Sequence, residues 1–135
     1  MTSTPHESRH VSTRIARPAA EVYAYARDPR NLPAWAHGLS GSITQEDGVW
    51  VADSPMGRVT VAFAPANEFG VLDHDVTLPS GRTVHNPVRV LPDGSAASEV
   101  VFTLRRLDGM TPADFERDAA TVAADLERLR SLLEA

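Results

Sequence analysis

The stretch Thr111-Pro112-Ala113-Asp114-Phe115-Glu116-Arg117-Asp118-Ala119, running on through Val122, Leu126, Leu129 and Leu133, decides the fold. Thr111 is an N-cap residue, Pro112 suits the first helical position, and Asp114 stands where a capping box places its acid. Met110 can staple onto Phe115 across the cap. Phe115, Ala119, Val122, Leu126, Leu129 and Leu133 recur at helical spacing and form one stripe. The spacing predicts a helix of about 23 residues, roughly 34 Å long at 1.5 Å per residue. Glu116, Arg117, Glu127 and Arg128 lie opposite the stripe, so this helix is amphipathic and must lie on another layer.

Toward the N-terminus the period changes to two. Between Gly41 and Leu107 the turn signals Asp47-Gly48, Pro55-Met56-Gly57, Asn67-Glu68-Phe69-Gly70, Pro79-Ser80-Gly81 and Pro92-Asp93-Gly94 cut the chain into about six strands of an antiparallel meander. Its apolar faces are Val59/Val61/Phe63, Leu72/Val76/Leu78, Val84/Val88/Val90 and Val100/Phe102/Leu104. Upstream, Val11-Ser12-Thr13-Arg14-Ile15 alternates as a half-buried strand. A helix follows, with Pro18 at its first position, Glu21 in its first turn and Val22, Tyr25 and Ala26 on one face. Asp28-Pro29 then opens a second short helix that carries Leu32, Trp35 and Leu39, with Gly38 as its stop.

Composition narrows the chemistry. The chain has 135 residues, 42% of them hydrophobic, a formal charge of −5, no cysteine and 13 basic residues, all arginine. One domain with a single core is expected at this length, residues 1–135 with a core over about 8–134. Disulfides, zinc knuckles, cysteine nucleophiles, Schiff-base lysines and P-loop lysines are excluded by the missing residue types. Nucleic acid is not expected as a partner, because Arg105-Arg106 is the sole adjacent basic pair. Met1-Thr2-Ser3-Thr4-Pro5-His6-Glu7-Ser8 has no basic n-region or apolar run, and no window is long enough to span a membrane, so a cytoplasmic location is expected. Neither a metal nor another cofactor is expected.

The N-terminal elements carry a resemblance. Ile15-Ala16-Arg17-Pro18-Ala19-Ala20-Glu21-Val22-Tyr23-Ala24-Tyr25, followed by Asp28-Pro29-Arg30-Asn31-Leu32-Pro33-Ala34-Trp35, resembles the opening of the START-like (SRPBCC, Bet v 1-like) superfamily in its polyketide cyclase/dehydrase-like branch. The resemblance implies an α+β helix-grip fold. In it a curved seven-stranded antiparallel sheet wraps around the long C-terminal helix, two short helices follow the first strand, and a cavity between sheet and helix takes lipids, polyketides, hormones or other apolar molecules. No catalytic motif of the superfamily matches residue by residue, so no catalytic role is carried over.

Val71-Leu72-Asp73-His74-Asp75-Val76-Thr77-Leu78 is the most informative stretch for a site. Alternation places His74 on the apolar face with Leu72, Val76 and Leu78, and sends Asp73 and Asp75 to the other. A three-residue loop with Gly81 left-handed pairs Leu78 with Arg82, Val76 with Val84 and His74 with Asn86. Two polar side chains on an apolar face need partners, since each would otherwise cost about 1–3 kcal/mol. Either they bond to each other or to a buried water and fix the sheet, or they line the cavity and orient a polar ligand group. On the outer face Asp75 stands opposite His85 with Asp73 one pleat away, too few converging ligands for a metal and too exposed for a carboxylate dyad.

Trp35, Phe63, Phe102, Phe115, Val122 and Leu126, with Trp50 or Tyr25 as further candidates, can line a space beneath the helix, where Ala26, Ala119 and Ala123 keep the wall small. Each taken singly also fits an ordinary core. His37 near the end of the second helix can face the cavity mouth or simply meet the helix dipole. No Gly-x-Ser-x-Gly elbow or phosphate-cradling glycine pattern occurs. Three functions therefore stand: binding of a small hydrophobic, lipid- or polyketide-like molecule with His74 and Asn86 as polar contacts; a cyclase or dehydratase using His74 as general acid/base; and a protein-interaction domain. A monomer or homodimer is compatible with each.

Overall fold

In a computed structural model the chain is described over residues 6–135. The first five residues of the stretch read for a leader, Met1 to Pro5, lie outside the described residues. The elements run β1 (Ser8–Ile15), α1 (Ala19–Ala26), a 3-10 turn (Pro29–Asn31) leading into the single-turn α2 (Leu32–Trp35), then β2 (Ser42–Glu46), β3 (Val49–Ser54), β4 (Gly57–Phe63), β5 (His74–Thr77), β6 (Thr83–Asn86), β7 (Val88–Asp93), β8 (Ala97–Arg105) and α3 (Pro112–Glu134). Among the described residues no helix is long and apolar enough to cross a membrane.

The expected α+β helix-grip arrangement is present, but the sheet count differs. Among the described residues eight strands form two antiparallel sheets, ordered β1-β8-β7 and β2-β3-β4-β5-β6, rather than one seven-stranded sheet. Pro87 is the cause. The Val84/Val88/Val90 alternation reads as one strand, yet Pro87 lacks the amide a ladder needs and divides it into β6 and β7. β6 pairs with β5, whereas β7 pairs with β8. Val71 bridges to Arg89, and the Leu72 amide donates to the Val88 carbonyl, so the two sheets meet along this segment. The Val88 amide, left without a ladder partner at the break, donates instead to Asp73 Oδ1 at 2.9 Å.

Local chemistry explains the rest. The capping box forms as its residue types require: Thr111 Oγ1 accepts from the Asp114 amide at 3.1 Å, and Asp114 Oδ2 accepts from the Thr111 amide at 3.1 Å. At the other end of α3, Arg17 Nε donates to the Leu133 carbonyl at 2.7 Å, satisfying one of the free C-terminal acceptors. Pro18 is the N-cap of α1 rather than its first residue. The second short helix is shorter than its apolar spacing implies, ending at Trp35 with Leu39 in the following turn.

The main core joins Ile15, Val22, Leu32, Val59, Val90, Val100, Leu126 and Leu129, all essentially inaccessible, between the sheets and the helices. Alternation explains the strand members, and the α3 stripe supplies the last two. A smaller cluster of Leu104, Phe115 and Ala119 closes the N-terminal end of α3, with Met110 packed on it.

Candidate functional site

His74 is the first residue of β5, standing opposite Phe63 on β4 and Asn86 on β6. The Val76–Val84 and Asp75–His85 pairs follow in the same register, and the turn is closed by Gly81 with φ +90°. Such a backbone suits glycine, which is why a three-residue loop sets this register. The imidazole is 8% exposed, with its centroid 5.1 Å from that of Phe63 and 6.0 Å from that of Phe102, the latter edge-on.

Nδ1 of His74 lies 3.1 Å from the carbonyl oxygen of Leu72. A carbonyl only accepts, so Nδ1 carries the hydrogen. Burial pushes the ring's pKa below its ordinary value, opposed by the Leu72 bond and by the charge of Asp73. The neutral Nδ1–H tautomer leaves Nε2 as a bare acceptor, and among the described residues Nε2 has no hydrogen-bond partner. His74 thus satisfies itself through Leu72 and not through Asn86.

A cavity of about 260 Å³ opens in front of this ring. Phe63, Val76 and Val84 form its floor on the larger sheet, and Phe102 on β8 closes one side. Leu32, Trp35 and Leu39 come from the α2 region, while Val122 and Leu126 form the roof from α3. Asn86, half-buried, lies beside His74 in the wall. Met56, Arg82 and Asp118 are the exposed members of the lining and mark where the space reaches solvent. The indole Nε1–H of Trp35 is buried without a partner among the described residues.

Of the residues singled out from sequence, Trp35, Phe63, His74, Asn86, Phe102, Val122 and Leu126 therefore meet around one space. Phe115 does not. At the fourth position of α3 it sits on Leu104 and Ala119, with the Arg9 guanidinium carbon 5.0 Å from its ring centroid. Trp50 and Tyr25 are outside the lining, and His37 is exposed.

Two lining residues, Asp118 and Asp125, escape a reading of α3 by its apolar stripe. They lie seven residues apart on the stripe's flank, and that spacing is the signal they share. Asp125, 8% exposed, accepts from the amides of His37 at 3.2 Å and Gly38 at 3.1 Å and pairs with Arg128 Nη2 at 2.7 Å. It pins the turn after α2 to α3. Gly38 lies close to α3 there: a Cβ would come within 2.5 Å of Thr121 Cγ2, so the Thr121 side chain would have to shift. Partial desolvation, and then the charge of Asp114, push the Asp118 carboxyl up from its ordinary value.

On the outer face Asp75 Oδ1 lies 2.7 Å from His85 Nδ1, the expected cross-strand pair. Asp73 is more engaged than its outward position implies: besides holding the Val88 amide, it accepts from Arg89 Nε at 3.0 Å and Nη2 at 2.8 Å. The Arg89 guanidinium holds the Asp73 carboxyl below the usual carboxylate range. Among the described residues no three His, Cys, Asp or Glu side chains are grouped to hold a metal ion.

An apolar cavity gripped between antiparallel sheets and a long C-terminal helix defines a helix-grip fold. Comparison by sequence finds no matching family model and no matching curated protein. Comparison of structures does. A START superfamily protein from Mycobacterium smegmatis aligns with a TM-score of 0.65 at 13% identity, over 94% of this chain and 97% of that one. Norcoclaurine synthase from Thalictrum flavum, a point mutant in complex with a transition state analogue, aligns with a TM-score of 0.64 at 14% identity, over 98% and 97% of the two chains. The di-domain aromatase/cyclase BexL of the BE-7585A biosynthetic pathway aligns with a TM-score of 0.67 at 16% identity, over 93% of this chain and 45% of BexL. At these identities the likeness is one of fold.

Proposed function

We propose that this protein binds a small hydrophobic molecule, lipid- or polyketide-like, in the cavity between the sheet and α3. The observation that carries the reading is the cavity itself: about 260 Å³ of space walled mainly by aliphatic and aromatic side chains, with few polar groups. Its size is close to the lower end of small-molecule sites, roughly 300–1,000 Å³. Burial of apolar ligand surface supplies the affinity, at about 25 cal/mol per Å² before the cost of immobilisation. The polar side chains in the wall orient the ligand. Trp35, Phe63, Phe102, Val122 and Leu126 are its contact surface, and His74 and Asn86 its polar contacts.

Titration with a neutral apolar fluorophore such as Nile red tests the reading, together with native mass spectrometry of protein purified from its own host. One-to-one uptake of the fluorophore, or a co-purifying small molecule, is the expected result. Exclusion of every apolar probe tried would overturn it.

A cyclase or dehydratase reading draws support from one specific feature, the neutral His74 ring whose Nε2 is unpartnered beside the cavity. A base in that position can take a proton from an activated carbon of a folded poly-β-keto chain, the carbanion adding to a carbonyl carbon further along the chain, and return the proton to the alkoxide oxygen so formed. In that case His74→Phe abolishes turnover of such a substrate while leaving its binding nearly intact. Undiminished turnover would remove His74 from the acid/base role.

A further inference from the structure

The Leu72 carbonyl fixes the hydrogen on Nδ1 of His74, so the atom left to a ligand is an acceptor. The remaining polar lining is mixed: the Trp35 indole Nε1–H, unpartnered among the described residues, and the Asn86 side-chain amide are neutral donors. Asp118 and Asp125 are carboxylates, and Asp125 already holds three donors. Arg82 is the one cationic side chain in the lining, and it lies exposed, whereas His74 is buried between Phe63 and Phe102. A ligand carboxylate brought to His74 would meet a lone pair on that ring and lose its water in a wall that holds two acidic side chains, where the donors away from exposed Arg82 are neutral. A hydroxyl brought there donates directly.

We propose that the cavity selects an apolar molecule bearing a neutral hydroxyl, which donates its hydrogen to Nε2 of His74, and that it rejects the corresponding carboxylate. The inference rests on the apolar-binding reading above and adds the chemical class of the ligand's polar end.

Naphthalene, 2-naphthol and 2-naphthoic acid share one apolar frame and serve as probes, titrated into the full chain and into His74→Phe above neutral pH by calorimetry. One neutral hydrogen bond contributes about 0.5–1.5 kcal/mol, so the ratio of naphthol to naphthalene affinity is expected to fall up to about tenfold in His74→Phe. Naphthoate is expected to bind the native chain more weakly than naphthol. Nitrogen-15 NMR of the native protein supplies a readout independent of the variant: the His74 Nε2 resonance is that of an unprotonated nitrogen and shifts with naphthol but not with naphthalene. If His74→Phe folds and leaves the ratio unchanged, or if naphthoate binds best, the selectivity is overturned while apolar binding stands. If naphthalene and naphthol are both excluded, the binding reading fails and this inference fails with it.

Discussion

His74 couples two requirements that oppose each other: alternation along β5 turns it inward, and its ring needs a polar partner there. The Leu72 carbonyl, two residues before β5, resolves the conflict at 3.1 Å. A pH signature follows from the neutral state. Burial depresses the folded-state pKa of His74 below 6.5. Above 6.5 both folded and unfolded chains carry a neutral ring, and the residue adds no pH dependence. Below it the unfolded chain takes up a proton that the folded chain resists, so stability declines as pH falls from 6.5 toward the folded-state pKa. Urea midpoints measured through that window should fall less steeply for His74→Phe than for the native chain. Parallel curves would mean that the folded ring titrates as an ordinary histidine. Asp73 has the same sign in a more acid range: Arg89 depresses its pKa, so its contribution is full above the ordinary carboxylate value and is lost as pH falls through the folded one. At this scale the sequence revealed His74 and Asn86, because period-two alternation makes an inward polar residue conspicuous. It concealed Asp118 and Asp125, because acids beside a helical stripe look like the solvated face until the turn at His37 and Gly38 is seen to rest on Asp125.

Among the elements, legibility followed how far a signal is local. The start of α3 was readable residue by residue, since a capping box, an N1 proline and a staple are all contained within six positions. The β5–β6 register was readable because a three-residue loop ending at Gly81 leaves only one arrangement that keeps both apolar faces on the same side. The division at Pro87 was not, because the valine alternation passes through it unbroken and the partner exchange depends on where β8 and the 70–72 segment lie. That segment depends on Gly70, whose φ of +71° places it in the left-handed region and whose Cβ position would fall 2.2 Å from the Val90 carbonyl oxygen. Strain of this kind costs on the order of 1–3 kcal/mol, and a backbone overlap adds to it. Gly70→Ala is therefore expected to destabilise by at least about 2 kcal/mol, measured by urea unfolding. Gly94, in a turn with φ +69° but nothing within 4 Å, is the control: Gly94→Ala should cost less, leaving only the strain. Equal losses at the two positions would mean that the close approach to Val90 contributes nothing.

For the whole molecule, the question is whether the space under α3 is a working cavity or a packing remnant. Wall residues differ in how they couple to stability. Leu126 is 1% exposed and belongs to the main core as well as the cavity roof, while Val122, one turn away, is only partly buried. Truncating Leu126 to Ala removes core contacts and should cost about 2–5 kcal/mol, yet it enlarges the space and should leave an apolar probe able to enter. Val122→Trp acts in the opposite direction. The larger ring projects from the roof into about 260 Å³ of unfilled volume, so it can gain dispersion contacts without displacing packed side chains. Nile red affinity is expected to drop at least about tenfold in V122W, with the thermal midpoint held or raised, whereas L126A lowers the midpoint and retains binding. This opposite pattern separates occupancy of the cavity from general integrity of the fold. Probe binding that follows stability in both variants would place the probe on exposed apolar surface, and the cavity would then be a consequence of how α3 is gripped rather than the protein's site of action.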